Sequence, residues 1–145
     1  VYKRQSLIMS KNLVFRGESP ALSLPVPAGT RSGDPVKVGG HIGVCDTDRT
    51  EVVDGKQYGG VGNPAGYASV APDGVYALEV PEEITTVGTP VYIVTADNSL
   101  TTATVTATVN NTLFGHTTPV IDKGVASGAT KAAGAGTVNV KLVRI

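Results

Sequence analysis

"SGDPVKVGGHIGVC", residues 32–45, contains the pattern that decides the fold. A Gly-Asp turn leads into the alternating run Pro35–Val38, Gly39-Gly40 turns the chain again, and "HIGVC" follows as a second run. A related stretch, "VGTPVYIVTADNSLTTATV", occupies residues 87–105. Period-two alternation between Gly, Pro, Asn and Asp is typical of β-hairpins. The repeated G-[DT]-P-V-x-[VI] therefore predicts a duplicated hairpin unit.

The rest of the chain has the same character. No window holds a helix-period apolar stripe for two turns, and short β-branched runs recur instead. The 18 Gly and 9 Pro residues among 145 supply the turns that many short strands need. We therefore predict an all-β fold, a small barrel or sandwich of short antiparallel strands with at most one or two short helices. The predicted strands are 12–16, 21–26, 35–38, 41–45, 50–53, 67–71, 74–80, 90–94, 100–109, 112–116 and 137–144.

Three segments lack a strand pattern. Residues 54–66, "DGKQYGGVGNPAG", predict a Gly-rich loop. Residues 81–86, "PEEITT", are compatible with one short helical turn, because proline and glutamate suit a helix start. Residues 124–136 form the alanine-rich stretch "GVASGATKAAGAG", for which a short helix and a small-residue loop both stay open.

The chain length predicts one domain. We expect residues 1–9 to be a non-native or disordered leader, since Met9 is the only methionine and "MSKNLVF" reads as a natural start. Residues 10–29 are predicted to be an extended N-terminal arm, and residues 30–145 a single barrel-like domain. Prolines in the arm disfavour a central strand there. The apolar part of the arm docks either on its own barrel or on a partner by strand addition, and its candidate interface residues are Leu13, Val14, Phe15 and Arg16.

Charge and composition exclude several classes of function. Lys plus Arg and Asp plus Glu number 12 each, so the formal net charge is zero and the basic footprint of a nucleic-acid binder is missing. No apolar run approaches the roughly 18 residues that span a bilayer. Cys45 is the only cysteine and is predicted to be a small apolar core residue. Low net charge suits a protein that assembles with others.

Candidate catalytic residues lack the context that their chemistry needs. His41 and His116 each lie beside a strand of the duplicated hairpin unit. With Asp46 or Asp48 they are a possible set of metal ligands, but no metal-binding spacing accompanies them. The duplicated context accounts for the recurrence of the two histidines. Ser69 and Ser127 lack a nucleophile elbow, namely flanking glycines and a following helix. No catalytic, metal or cofactor site is predicted from these residues.

Other possible sites are also weak. Adjacent Glu82 and Glu83 diverge in a strand or a turn, so they cannot form the convergent carboxylate pair of a glycosidase. "GGVGNPAG" and "GVASGATK" lack the strand–loop–helix setting of phosphate-binding loops. We therefore predict a non-enzymatic protein without cofactors, nucleic acid, membrane or small-molecule substrate as partners.

An ordered series of motifs resembles a known family. The series runs "SKNLVFRGES", "LPVPAGTRSGDPVKVGGHIGVC", "DGVYALEV", "VGTPVYIVTADNSLTT", "NTLFGHTTPVIDKGVASG" and "AGTVNVKLVRI". In this order the motifs resemble the small phage head proteins regarded as capsid cement or decoration proteins, formerly a domain of unknown function. The likeness covers nearly all of residues 10–145. The chain departs from the family pattern in a longer Gly-rich insertion at 54–66 and a longer Thr/Val run at 100–109.

The resemblance implies a structural role in a phage virion. Such a protein is made in the bacterial cytoplasm, binds the major capsid protein on the outer surface of the assembled head, and often sits as a homotrimer over junctions between coat-protein hexamers. The arm residues 13–16 then become a candidate coat-protein or trimer interface. The alternative is a surface-displayed β-rich module that binds glycans or a host, with 54–66 as its binding loop. A hydrolase with an unrecognised site is the third class.

Overall fold

The computed structural model describes residues 21–60 and 62–143, and these residues form strands, turns and bends without a helix. The all-β prediction is therefore confirmed. Alternating β-branched residues form short strands, and Gly-containing turns end them. The strands are β1 Leu22–Pro25, β2 Pro35–Val38, β3 His41–Cys45, β4 Glu51–Val53, β5 Lys56–Tyr58, β6 Tyr67–Ala71, β7 Val75–Glu79, β8 Pro90–Ile93, β9 Leu100–Thr101, β10 Val105–Thr106, β11 Val109–Asn110, β12 Thr112–Thr117, β13 Val120–Asp122, β14 Val125–Ser127 and β15 Thr137–Leu142.

Two antiparallel sheets form the body of the molecule. The first has the order β1-β6-β3-β2, and the second has the order β7-β15-β12-β8-β9. In the first sheet β1 pairs with β6, and β3 pairs with β2; in the second sheet β7 pairs with β15, and β12 pairs with β8. Each of these sets of four strands has a Greek-key order. We call β1, β2, β3 and β6 the first repeat, and β7, β8, β12 and β15 the second repeat. The duplication predicted for a hairpin thus extends to four strands.

The two repeats share backbone hydrogen bonds position by position. Gly33 N donates to Cys45 O at 2.8 Å, and Gly88 N donates to Thr117 O at 2.8 Å. These bonds tie the turn before each Pro-Val strand to the end of the third strand. Three further pairs match in the same way: Cys45 N to Asp34 O and Thr117 N to Thr89 O; Val26 N to Gly66 O and Val80 N to Gly136 O; Asp46 N to Ser69 O and Thr118 N to Asn139 O.

A glycine also lies at the same place in the third strand of each repeat. Gly43 lies opposite Val36, and Gly115 lies opposite Val91. A Cβ atom on Gly43 would lie 2.4 Å from the carbonyl oxygen of Ala71, and one on Gly115 would lie 2.3 Å from that of Lys141. Backbone oxygens cannot yield like a flexible side chain, so only glycine fits where the fourth strand approaches the third this closely.

The core lies mainly in the second repeat but includes residues of the first. Ile42 and Val44 pack in the same buried cluster as Phe114, Val140 and other side chains of the second sheet. The opposite face of the first sheet has its own smaller cluster. Because β3 is buried on both faces, it joins the two repeats. The smaller cluster contains Val26, Val36, Cys45, Ala68 and Val70.

Several local predictions are wrong. Residues 81–86 form no helical turn; instead Ile84 is buried and pairs with Lys131 in an isolated bridge. Burial of Ile84 against the second sheet outweighs the weak helix-start signal. The predicted strand 100–109 is split into β9, β10 and the start of β11. In residues 124–136, where a short helix and a small-residue loop were both left open, β14 occupies Val125–Ser127 and the rest is irregular, with no helix. By contrast, the strand predicted at 21–26 is confirmed, since Leu22–Pro25 pairs with β6 at the edge of the first sheet.

Candidate interaction surfaces

The predicted reactive residues are not brought together. Among the described residues, no three His, Cys, Asp or Glu side chains are placed to hold a metal ion. Ser69 lies in the middle of β6, where its hydroxyl accepts a hydrogen bond from Asn63 Nδ2 at 3.1 Å. Ser127 ends the exposed strand β14. Glu82 instead has a structural role, because its carboxylate accepts hydrogen bonds from Thr101 Oγ1 and Thr102 N.

The two histidines do not occupy equivalent positions, so the duplication does not account for their recurrence. His41 lies opposite Val38 at the start of β3. His116 lies opposite Pro90, and the residue opposite Pro35 in the first repeat is Val44. The third strands of the two repeats share a glycine, Gly43 or Gly115, and not a histidine. Both histidines are exposed.

The thiol of Cys45 is inert by its environment. Its side chain is buried, 2 % exposed, in the smaller core cluster. Desolvation, with the nearby Asp34, Asp46 and Asp48 carboxylates adding to it, raises the pKa of Cys45 to about 12. A thiol with this pKa carries almost no thiolate at neutral pH and is a poor nucleophile. The sequence prediction of a small apolar core residue fits this environment.

Three two-stranded hairpins lie outside the two main sheets and carry exposed apolar side chains. They are hairpin A (β4–β5), hairpin B (β10–β11) and hairpin C (β13–β14). Val52 in hairpin A is 64 % exposed, and Ile121 and Val125 in hairpin C are 65 % and 64 % exposed. Hairpin B exposes Val105 and Val109. Contiguous exposed apolar patches are candidate interaction surfaces, so the hairpins are the surfaces to consider for binding.

Hairpins A and C occupy the same place in the two repeats. Hairpin A lies between β3 and β6, and hairpin C lies between β12 and β15, so each connects the third strand of its repeat to the fourth. The turns also match: Asp54-Gly55 and Lys123-Gly124 have positive φ at both positions. This is the turn that suits the twist of a two-residue hairpin. Hairpin B has no counterpart in the first repeat, where a Gly39-Gly40 turn replaces it.

An ion-pair cluster fixes hairpin A to the body. Glu51 accepts hydrogen bonds from Arg31 Nη1 and Arg49 Nη1, each at 2.6 Å. The Arg31 guanidinium also lies over the ring of Tyr58, 3.7 Å from its centroid. Arg49 Nε donates to Val26 O at 2.9 Å, which links the cluster to the first repeat. The hydrogen bond from Arg31, with a smaller contribution from Arg49, lowers the pKa of Glu51 against the opposing effect of desolvation.

Hairpin B has a strained turn. Ala107 and Thr108 have φ angles of 49° and 70°, in the left-handed region that glycine favours. A β-branched residue such as Thr108 is especially unfavourable there. Asn111 holds the base of the hairpin by donating from Nδ2 to Ala103 O and Thr106 Oγ1. Strain of this kind persists only where the rest of the structure enforces it.

An apolar groove of about 1040 Å³ lies between the two repeats. It is lined by the loop before β2, by the end of β7 and by the turn between β8 and β9. Lys37 N donates to Asn98 Oδ1 at 3.2 Å beside it and links the repeats. The groove has room for several side chains, since pockets that hold drug-sized ligands are typically about 300–1,000 Å³. No motif in the sequence indicates it.

The candidate interface Leu13, Val14, Phe15 and Arg16 lies outside the described residues. The hairpin surfaces were not predicted from the sequence. A signal for two of them is present in their turns, because Asp54-Gly55 is a dipeptide typical of two-residue hairpin turns and Lys123-Gly124 also places glycine at the second turn position. The first was instead assigned to a Gly-rich loop, although Lys56–Tyr58 of that segment form β5. Ala107-Thr108 gives no turn signal.

No family model, no curated protein and no solved structure matches this chain. None of the described segments forms a helix that is long and apolar enough to cross a membrane.

Proposed function

We propose that this protein is a structural component of a phage head, a cement protein that binds the outer surface of the assembled shell across junctions between coat subunits. The observation that carries the proposal is the set of exposed apolar side chains on hairpins A and C. The order of motifs along residues 10–145, which resembles that of capsid cement proteins, agrees with this role. Arm residues 13–16 and the homotrimer belong to the same proposal.

The placement of the hairpins suits a protein that bridges neighbours. Hairpins A and C connect equivalent strands of two repeats, so one molecule presents two related hairpins that each carry exposed β-branched apolar side chains. A shell lattice presents the same coat surface many times. Two such hairpins on a rigid body can therefore contact two neighbouring coat subunits at once, and the second contact forms at a high effective concentration.

Binding of this kind stabilises a shell by linkage. A ligand that binds the assembled lattice but not free subunits favours the lattice by about 2.7 kcal/mol per site when its concentration is a hundred times Kd. The effect is repeated at every site. It needs no catalytic residue, cofactor or metal.

The test uses empty heads assembled from the major coat protein encoded in the same genome. The purified chain is added to expanded and unexpanded heads, binding is measured by co-sedimentation, and shell disruption is followed by light scattering during heating. We expect saturable binding to heads and a higher disruption temperature. Equal disruption temperatures with and without saturating protein contradict the proposal.

Matched variants test the hairpin surfaces. Val52→Thr, Ile121→Thr and Val125→Thr remove apolar surface while they keep a β-branched side chain in the strand. Together they are expected to weaken binding to heads by about tenfold or more. Val87→Thr is the control, because Val87 is 63 % exposed but lies outside the three hairpins. Equal loss in the control and in the triple variant removes the hairpins from the interface.

A further inference from the structure

The groove between the repeats has an apolar floor and acidic rims. Its exposed apolar lining includes Pro27, Ala77 and Pro81, while the lining residues Leu78, Val80 and Leu100 are buried in the larger core cluster. Asp34 and Asp97 also line it, and both have local partners: Asp34 Oδ2 accepts from Arg31 N, and Asp97 Oδ1 accepts from the Ser99 amide and hydroxyl. An extended apolar peptide that carries cations at its ends would match such a groove.

Glu79 is the carboxylate in the groove that has no local partner. It lies on the rim at the end of β7, exposed, and it forms no ion pair with any described residue. None of the described lining residues is a lysine or an arginine. Lys131 does not line the groove, but its Nζ donates to Gly134 O, a lining residue, at 2.8 Å, so the cation beside the acidic lining is already held by backbone oxygens.

Charge is distributed unevenly along the chain. Residues 21–60 and 62–143 carry seven Lys and Arg against eleven Asp and Glu, a net charge of −4. Residues 1–20 carry four Lys and Arg against one Glu, a net charge of +3. The formal neutrality of the whole chain thus conceals a basic N-terminal segment and an acidic body. Such a distribution favours contact between the two.

We propose that the segment Lys11–Arg16 of a second copy of this chain binds in the groove. The segment reads K-N-L-V-F-R, so three consecutive apolar residues lie between two cations. The apolar side chains would pack against the floor of the groove. Arg16, whose planar guanidinium can hold a carboxylate in a bidentate manner, pairs with Glu79.

The path of β1 favours a second copy over the same chain. Ala21 precedes β1, and the chain then runs extended to Pro27, which lines the groove. Six extended residues span about 20 Å. Arg16 lies five residues before Ala21 and reaches back at most about 18 Å even when fully extended. Its own chain would also have to reverse direction alongside β1, whereas a neighbouring copy has neither restriction.

This contact is heterologous, since an arm on one molecule meets a groove on the next. Heterologous contacts close into rings when the rotation between copies permits. A closed ring of three is the homotrimer expected from the sequence. The proposal rests on the function proposed above for the arm residues and the homotrimer, but copies of this chain alone suffice to form the contact.

Sedimentation velocity of the full chain over a concentration series tests the contact without any phage head. The arm variant Phe15→Ser, Arg16→Glu and the groove variant Glu79→Lys are each expected to weaken self-association by about tenfold or more. Glu83→Lys is the matched control, because it changes the net charge equally at an exposed residue that does not line the groove. Added salt should weaken association of the wild-type chain.

Mixing the two variants distinguishes a second copy from the same chain. The groove variant keeps an intact arm and the arm variant keeps an intact groove, so an equimolar mixture should form a heterodimer that neither variant forms alone. Arg16→Glu with Glu79→Arg in one chain should restore association. Three outcomes would each overturn the proposal. They are a monomeric wild-type chain, equal effects of Glu79→Lys and Glu83→Lys, and no association in the mixture. Binding to heads is measured separately, so the failure of one proposal is visible independently of the other.

Discussion

Where the first repeat buries Cys45, the second repeat buries Thr117. Thr117 Oγ1 accepts a hydrogen bond from Thr89 N at 3.0 Å. At the equivalent position in the first repeat, Asp34 N donates instead to the backbone oxygen of Arg31 at 3.0 Å. Buried backbone N–H groups need a partner, and the repeats provide it differently. Two sequences can therefore share a backbone pattern while the side chains at matched positions diverge.

The repeats also differ in how they fill the space between them. Phe114 precedes Gly115 in the second repeat and is fully buried, while Ile42 precedes Gly43 in the first. Both side chains lie in the larger core cluster. The second repeat thus supplies the larger part of the core. Substitutions in the two repeats test this difference in their contribution to the core.

The largest effect is expected from Phe114→Ala. Removing a fully buried aromatic ring leaves a cavity and should lower the free energy of unfolding by about 4 kcal/mol, against about 3 kcal/mol for Ile42→Ala. Chemical denaturation followed by circular dichroism measures both. Phe114→Leu, which keeps most of the volume, should cost about 1 kcal/mol. A larger loss of unfolding free energy in Ile42→Ala than in Phe114→Ala would contradict the conclusion that the second repeat supplies the larger part of the core.

Gly43→Ala and Gly115→Ala test the equivalence of the repeats. Each new Cβ would meet a backbone carbonyl at 2.4 Å or 2.3 Å, so each variant should lose about 3 kcal/mol of stability. Urea denaturation midpoints give the comparison. Gly40→Ala is the control, because nothing lies within 4 Å of its Cβ position and its φ is not in the left-handed region. A neutral result at either Gly43 or Gly115 contradicts the shared constraint.

Thr117→Val tests the side-chain solution of the second repeat. The change keeps the shape but leaves Thr89 N without its acceptor, for an expected loss of about 2 kcal/mol. Cys45→Val in the first repeat should cost less than about 1 kcal/mol, since the buried free thiol of Cys45 packs among apolar side chains and takes the place of no such acceptor among the described residues. Thermal unfolding of both proteins separates the two cases. Equal losses would show that the hydroxyl is not the cause.

Thr108→Gly compares the turns of hairpins A and B. Glycine removes the left-handed strain at φ 70° and should stabilise hairpin B by about 1 kcal/mol. Amide hydrogen exchange of Val109 reports the local change. Gly55→Ala is the reciprocal variant: it introduces a Cβ at φ 80° and should destabilise hairpin A by a similar amount. Faster exchange in the Thr108→Gly protein would contradict the strain argument.

The smallest effect concerns pH and hairpin A. The pKa of Glu51 lies below its ordinary value of 4.5 because Arg31 and Arg49 donate to its carboxylate. The stabilisation that the ionised Glu51 carboxylate contributes is therefore complete above pH 4.5, and it is lost as the pH falls through the lowered pKa of Glu51 in the folded protein. Chemical shifts of Val52 and Val53 amides should change in that range. In Glu51→Gln the change at Val52 should shrink, while the amides of Val105 and Val109 in hairpin B, which carries no carboxylate, shift little in either protein.

The sequence predicted some parts of the fold closely because their signal is local. β2, β3 and β6 have the predicted bounds, since alternating apolar residues between Gly and Pro turns specify both strand and register. The segments 81–86 and 124–136 were predicted less well. Burial of Ile84 and pairing of β14 are tertiary effects that outweigh local propensity.

The surfaces were harder to predict than the strands. Val52, Ile121 and Val125 have the residue types of core strands, and only the structure shows them uncovered. The groove is also formed by segments far apart in sequence, such as Pro27 and Leu100. A strand pattern indicates which side chains are apolar, but their burial depends on what packs against them.

By itself the sequence determined the all-β class, the turn-strand motif that recurs, and the lack of any catalytic motif, because these follow from residue type and spacing along a few neighbouring positions. The tertiary structure decided that the repeat has four strands, that glycine rather than histidine is its shared residue, and that hairpins A and C occupy matching places. These features depend on which strands meet across long stretches of chain. Close approach of Gly43 to Ala71, and of Gly115 to Lys141, is one such meeting, and no local pattern specifies it.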